Sequence, residues 1–418
     1  MNKSSVREVY PVETLAADIR KAIIRIKVIG VGGGGNSVLL RLAEDRIPGI
    51  ELIAVNTDMK QLSVLNDAGV DTVQIGDKMT KGRGTGGVAE LGERAAKSDI
   101  AKLERAIRDA DLVFITAGMG GGVGTGAAPV VAQTIKRLGI LSIGVVTAPF
   151  SFEGKRKMRI AEEGIESLRD YLDALIVVHN DNLMKLPENK RMSLVDSFKA
   201  ADGILRQAIL CISEVILTTG VVNVDFADVV SIFRQSTSSD ALLGIGESKN
   251  GSVVEAVQRA IESPLVEREL RGARGLILNI SGDSTLPLID VNEAMEYVAA
   301  HTHPDVNVIF GVIEDTTLSG SVRATLVATD FVDSADAYRT PRVKAEQATA
   351  ARRQQIGKRP AAPKAAAVPE QTQPQEKSAM KELDIQLPDF IQHRRTEIPP
   401  LTMHTDDGRT IPPFRPKE

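Results

Sequence analysis

The stretch ITAGMGGGVGTGAAPVVAQTI, residues 115–135, puts six glycines into the nine positions 118–126. An apolar run, DLVFITA, precedes it and a helix-like run follows. A strand-to-helix turn this bare lets backbone N–H groups converge on one point, and the start of the helix adds positive potential. With no Cβ in the way, the chain can take positive φ and approach an anion closely. The loop has no Lys at Walker spacing. Phosphate held here would therefore meet the main-chain donors of Gly118, Gly120, Gly121, Gly122, Val123, Gly124 and Gly126, with the Thr125 hydroxyl beside them. The competing explanation is tight packing of strand on helix, for which one or two glycines ordinarily suffice.

A second loop of this kind follows the first strand, in IKVIGVGGGGNSV. Gly30, Gly32 and Gly35 satisfy G-x-G-x-x-G between a strand and a helix, the dinucleotide fingerprint. Asp58, in AVNTD, would then face a ribose. Alone, this loop leaves a nicotinamide-dependent oxidoreductase open, although none of the five His, His179 included, has a context for catalysis. Two glycine loops on neighbouring strands suit a mononucleotide with several phosphates better. A third glycine turn, KGRGTGG (residues 81–87), is positioned to reach a terminal phosphate. In APFSFEGKRK, Glu153 can accept from ribose hydroxyls, with Arg156 and Lys157 close by. Phe198 and Asp202 are four apart on a long helix and share a face. The ring can stack on a base, and the carboxylate can accept from the adjacent N1–H and N2–H of guanine, which adenine lacks. The plain alternative is a core Phe beside a solvated Asp.

Between residues 26 and 178, β-branched runs alternate with helix-period segments such as VAELGERAAKSDIAKLERAIRDA. That pattern predicts a parallel sheet covered on both faces. Residues 193–219 predict one long amphipathic helix, closed by Gly220. A smaller mixed α/β block follows to residue 330, with strands GLILNISG, VNVIFGVIE and VRATLVATDF. Beyond Phe331 the chain turns rich in Ala, Pro, Gln and Lys, the composition of a disordered linker. Leu383, Ile385, Leu387, Phe390 and Ile391 then form an apolar island suited to docking on a partner. The net charge of −4 gives no basic field for nucleic acid. Cys211 stands alone in an apolar helix, AILCISEVIL, so it reads as a small buried hydrophobe. No apolar run approaches the ~18 residues of a membrane span. The expectation is a soluble cytoplasmic protein without direct membrane insertion.

With its loops in this order the chain resembles the FtsZ family of tubulin-like GTPases, over about residues 26–329. GMGGGVGTGAAP resembles the tubulin/FtsZ signature, with Val123 where Thr is usual. NVDFADV, residues 223–229, is similar to the family's catalytic loop. The resemblance implies an α/β fold of the tubulin/FtsZ type. Its parts would be an N-terminal extension (1–24), a Rossmann-like GTP-binding domain (25–192), a connecting helix (193–222) and a smaller α/β C-terminal GTPase-activating domain (223–331). A disordered linker (332–381) and a tail with a partner-binding peptide (382–418) would complete it. It further implies GTP/GDP as ligand, with Mg2+, in a head-to-tail homopolymer of the cell-division ring, where a neighbouring subunit completes hydrolysis. A relative that assembles but hydrolyses little is the alternative.

By position, Gly32, Gly33, Gly34, Gly35, Asn36 and Ser37 would hold phosphates together with the second loop. Asn56, Thr57, Asp58 and Asn180 would border the nucleotide, Glu153 and Lys157 the ribose, and Phe198 and Asp202 the guanine. Asn223, Asp225 and Asp228 would act on the attacking water. On the residues alone, Asp225 and Asp228 read first as the cap and first turn of a helix, a reading compatible with the catalytic one that the resemblance implies. The tail LDIQLPDFIQHRR, residues 383–395, is similar to the family peptide that binds membrane-tethering and regulatory division proteins. Ser37, Val123, Lys157 and GGVAELG depart from the family pattern. Lys157 for Arg exchanges a planar two-donor contact for a point charge.

Overall fold

Ten strands join in one sheet, ordered β3-β2-β1-β4-β5-β6-β7-β10-β8-β9. The computed structural model describes residues 24–186, 189, 192–217, 224–236, 238–283, 286–315 and 318–332. In chain order the first elements are β1 (Ile26–Val31), α1 (Gly32–Asp45), β2 (Ile50–Asn56), α2 (Met59–Asp67), β3 (Asp71–Gln74) and α3 (Asp77–Thr80). Then come α4 (Ala89–Ser98), α5 (Ile100–Ile107), β4 (Leu112–Gly118), α6 (Val123–Leu138), β5 (Leu141–Ala148), α7 (Lys155–Arg169) and β6 (Ala174–His179). The short α8 (Asn180–Leu183) precedes the long α9 (Leu194–Leu217) and α10 (Phe226–Gln235). Last are β7 (Asp240–Ser248), α11 (Val253–Ile261), β8 (Ala273–Gly282), α12 (Leu288–His301), β9 (Asn307–Glu314) and β10 (Val322–Phe331).

The first six strands are parallel, and their order reverses between β1 and β4. In doubly wound sheets ligands bind at such a switch point, beyond the carboxyl ends of the strands. Both glycine loops leave from it, since β1 and β4 are neighbours paired from Ile26↔Leu112 to Val31↔Ala117. Apolar strands are buried on both sides, as their continuous Val/Ile runs require. One face packs against α1 and α9 through Val38, Leu39, Leu205 and Ile209. The other is covered by α4, α5, α6 and α7, with Ala95, Leu103, Val131 and Ile165.

The later strands form the antiparallel set β7-β10-β8, with β9 parallel to β8, on a core shared with α11 and α12. They continue the parallel sheet through two residue pairs, Leu175↔Asp240 and Ile176↔Ala241. That junction depends on β7, which sequence pattern missed. Its glycines made it look unlike a strand, yet α11 requires them: a Cβ on Gly244 or Gly246 would lie 2.2 Å from the Ala260 or Ala256 carbonyl oxygen. The helix-period run at residues 88–110 is likewise two helices, not one. Asp99 breaks it, with φ −118° and ψ 25°, and its carboxylate accepts from Gly76 N at 2.7 Å.

Helix α9 is the spine. Its 24 residues span about 36 Å, and Leu205, Ile209 and Ile212 share one core with β5 on one side and with Ile277 and Val327 on the other. Cys211 is fully buried there, and burial pushes its thiol up. Gly220 and the tail segment around residues 383–395 lie outside the described residues. Among the described residues no helix is long and apolar enough to cross a membrane.

Candidate functional site

The two glycine loops lie backbone against backbone, and this consumes more glycines than packing usually does. A Cβ on Gly32 would stand 2.6 Å from Gly124 N, and one on Gly34 would be 2.9 Å from Gly118 N. One on Gly35 would meet Thr116 O at 2.2 Å, and one on Gly124 would meet Gly118 O at 2.5 Å. Gly32 also has φ +70°, so a side chain there would be strained in any surroundings. Gly126 seats α6 on α4: its Cβ would be 1.9 Å from Ala89 O. Gly120, at φ +89°, lies under the stem of Lys157. By contrast a Cβ on Gly121 would meet nothing within 4 Å, and one on Gly33 only Gln61, at 3.5 Å. Those two positions face a cleft of about 410 Å³ bounded by both loops.

The cleft wall includes Gly33, Gly34, Gly118, Gly121, Gly122, Val123 and Gly124 from the two loops. The residues expected beside them divide. Asn36 is buried behind the first loop. With its amide nitrogen facing the carbonyls, it donates to Gly30 O at 3.0 Å and Gly32 O at 3.2 Å and accepts from Asn56 Nδ2 at 2.8 Å. It braces the loop from behind, and so does not line the cleft. Ser37 likewise turns away, its hydroxyl donating to Gly33 O at 3.1 Å. Thr125 accepts from Gly120 N at 2.8 Å, so its oxygen closes the second loop on itself. Gly32, Gly35, Gly120 and Gly126 are packing positions, and Thr57 is fully buried with its hydroxyl unpartnered.

At the end of β2, Asn56 and Asp58 do reach the cleft. Asn56 Oδ1 accepts from Thr57 N at 2.8 Å, and Asp58 caps α2 by accepting from Lys60 N at 2.9 Å. Sequence pattern gave no signal for Gln61, which lines the cleft one turn into α2 and accepts from Asn56 Nδ2 at 2.8 Å. The third glycine turn enters too, through Gly84, Thr85, Gly86 and Gly87. Thr85 lies against the second loop: its Oγ1 would be 1.8 Å from a Cβ on Gly122.

On the opposite wall stand Glu153, Lys157, Asn180, Phe198 and Asp202. Glu153 is already engaged, accepting from Phe150 N at 2.9 Å and pairing with Lys157 one turn on. Phe198 is 40% exposed and stands at right angles to Phe150, ring centroids 5.4 Å apart. The exposed part of the ring borders the cleft. Asn180 is 4% exposed and its Oδ1 has no partner, an expensive omission for a buried amide unless a ligand donates to it. Burial raises the Asp202 carboxyl, and Arg41, at 3.4 Å, partly offsets this.

Asp225 and Asp228 are not in this wall. Asp225 caps α10, accepting from Ala227 N at 3.1 Å, and both carboxylates are exposed. Two helices that begin at the cleft lead away from it. Helix α9 carries Phe198 near its start and ends at Leu217, about 30 Å on. Helix α6 ends at Gly139, whose carbonyl accepts from Arg234 of α10 at 3.0 Å. Asn223 lies outside the described residues.

Comparison with known proteins agrees with this geometry. Residues 25–188 match the family described as Tubulin/FtsZ family, GTPase domain, and residues 239–332 match FtsZ family, C-terminal domain. The cell division protein FtsZ of Aquifex aeolicus (strain VF5) is 44% identical over 309 residues, covering 73% of this chain and 83% of that protein. A solved empty FtsZ dimer from M. jannaschii is 38% identical, with TM-score 0.70, over 77% of this chain and 92% of that one. CetZ2 from Haloferax volcanii, solved as a GTPγS-bound protofilament, is 24% identical with TM-score 0.61, over 80% of this chain and all of that one. At that identity the likeness speaks to the fold alone.

Proposed function

The chain belongs to the FtsZ family, and on that premise we propose that it is a polymerising cell-division GTPase whose active site is shared between successive subunits. The observation that carries the shared site is the separation of its halves. The cleft takes Phe198 and Asp202 from the start of α9, whereas Asp225 and Asp228 follow its last residue, Leu217, in the chain and line no part of the cleft. GTP is bound in the cleft. Backbone N–H groups of Gly33, Gly34 and residues 121–124 hold its phosphates, and the third turn, with Thr85, meets the terminal one. Glu153 and Lys157 border the ribose, Phe198 stacks on the base, and Asp202 accepts from N1–H and N2–H. Asn180 Oδ1 is a further acceptor for the nucleoside.

In a head-to-tail filament the next subunit brings Asp225 and Asp228 over the terminal phosphate. Their carboxylates orient and polarise an attacking water. The contact is heterologous, so it propagates and does not close. Among the described residues no cluster of three His, Cys, Asp or Glu side chains is suited to hold a metal. Mg2+ would come with the triphosphate, bound mainly by phosphate and water, and would neutralise charge developing on the phosphates. The protein would work in the cytoplasm at the division site. A dinucleotide oxidoreductase is not favoured, because the family matches over residues 25–188 and 239–332 are to the Tubulin/FtsZ GTPase and FtsZ C-terminal domains.

The test is phosphate release from GTP and from ATP over a range of protein concentrations, with Asp228→Ala as control. A GTP-specific rate that appears only above a threshold concentration is expected. Asp228→Ala should bind GTP normally and release less than about 1% as much phosphate. A rate strictly proportional to protein, or loss of GTP binding in the variant, would refute the shared site.

A further inference from the structure

Helices α1 and α9 are joined by two ion pairs with the same sequence offset. Arg41 Nε donates to Asp202 Oδ2 at 3.4 Å. One turn further along both helices, Arg206 Nε and Nη2 donate to the two oxygens of Asp45, each at 2.5 Å. The order of charge is crossed, basic then acidic on α1 and acidic then basic on α9. A slip of one turn, about 5.4 Å, would set Arg41 against Arg206 or Asp45 against Asp202. The pairs therefore hold α1, which starts in the first phosphate loop, in register with the helix that carries Phe198 and Asp202.

The two rungs differ in what they leave free. Arg206 occupies both oxygens of Asp45, whereas Arg41 meets only one oxygen of Asp202, through a single N–H. Asp202 lines the cleft, and Arg41 does not. The other charged side chains in that wall are Asp58, which caps α2, and Glu153 and Lys157, which pair with each other. An ionised carboxylate has about four acceptor positions, so one N–H from behind leaves capacity for two donors in front.

We propose that Arg41 is a positioning residue for base selection: it orients Asp202 from behind and keeps it an acceptor, which sets the preference for a purine with adjacent N1–H and N2–H donors. The inference rests on Asp202 as the reader of guanine. Arginine suits the task because it stays charged at every relevant pH. Burial favours the protonated carboxyl of Asp202, and Arg41 is the cation that opposes it. A protonated carboxyl offers a donor where guanine needs an acceptor.

The experiment measures equilibrium binding of GTP, ITP, XTP and ATP to the full chain and to four variants, from pH 7.5 to about 5.5. In Arg41→Gln, GTP should bind about tenfold more weakly, the size of a lost charge-assisted hydrogen bond. Its preference for GTP over ITP and ATP should shrink, and GTP binding should weaken further as pH falls, over a range where the parent protein is unaffected. Arg41→Lys should recover much of the loss. Asp45→Asn, which breaks only the other rung, should lower the melting temperature and leave selectivity unchanged. Asp202→Asn should gain affinity for XTP, because an amide matches one donor and one acceptor. If Asp202→Asn shifts base preference but Arg41→Gln, still folded by circular dichroism, does not, Arg41 has no such role. If Asp202→Asn leaves base preference unchanged, the guanine-reading role of Asp202 fails, and the inference with it.

Discussion

Two alanine substitutions in the glycine loops should fail in opposite ways. At Gly35 an added methyl would stand 2.2 Å from Thr116 O and 3.1 Å from Gly30 Cα, backbone on both sides. Ordinary contact begins near 3.4 Å, so α1 or β4 has to retreat by roughly 1 Å in a close-packed interior. Overpacking of this kind costs about 1–3 kcal/mol, and more where only backbone can yield. Gly35→Ala should therefore lower the melting temperature of the nucleotide-free protein by about 2–6 °C. At Gly121 the methyl meets no protein atom within 4 Å. Removing the freedom of glycine from the unfolded chain then leaves stability unchanged or raised by about 0.4–1 kcal/mol. The same methyl would occupy space that phosphate needs, and GTP affinity should fall at least tenfold, about 1.4 kcal/mol. Thermal melts without nucleotide and titration calorimetry with GTP separate the two effects. A Gly121→Ala protein that binds GTP like its parent would refute backbone phosphate binding at this loop. A Gly35→Ala protein as stable as its parent would refute packing as the reason for that glycine.

Phe198→Ala should weaken GTP binding by about 1–3 kcal/mol, the worth of one base stack, and barely change the melting temperature of a ring that is 40% exposed. Binding equal to the parent would exclude stacking. Asp99 is partly buried, which raises its carboxyl, but hydrogen bonds from Lys102 and Gly76 N outweigh this and hold it below its ordinary value of 3.8. A depressed carboxyl adds stability that is complete above its unfolded value and is lost as pH falls through the folded one. Asp99→Asn should thus melt earlier than the parent at pH 7, with the difference gone by about pH 2; a pH-independent difference would contradict it. Cys211 is wholly buried with its thiol raised. It should react with a thiol reagent only at the unfolding rate, and fast labelling of folded protein would show that α9 is not packed as described.

Glycine count alone could not separate these uses. Sequence pattern located both loops and the strands that carry them, because a β-branched run before a glycine cluster is a local signal. Which glycine packs and which faces a ligand depends on the neighbouring loop, 84 residues away for Gly34 and Gly118, which no local pattern contains. The same limit explains Thr125, Ser37 and Asn36. Their types suggested phosphate ligands, yet each turns polar atoms onto the backbone of its own loop: Thr125 onto Gly120 N, Ser37 onto Gly33 O, and Asn36 onto Gly30 O and Gly32 O. Phe198 and Asp202 were legible because helical spacing puts them on one face, and that face lines the cleft. Arg41 was not legible, since nothing within α1 indicates what α9 sets beside it.

Asp225 is both the cap of α10 and a member of the acidic pair, so the bland and the catalytic explanations of its position are both served by one geometry. A cap fixes the carboxylate against the helix start, and a fixed carboxylate presents the same face to every incoming subunit. Asp228, three residues on, is exposed and has no capping duty. The two aspartates should therefore separate on substitution. Asp225→Ala costs stability, about 1 kcal/mol for a lost cap, as well as turnover, whereas Asp228→Ala costs turnover and only the smaller contribution of an exposed first-turn carboxylate. If Asp225→Ala melts earlier but hydrolyses GTP at the parent rate in preformed filaments, its carboxylate serves the helix only, and Asp228 must orient the water alone.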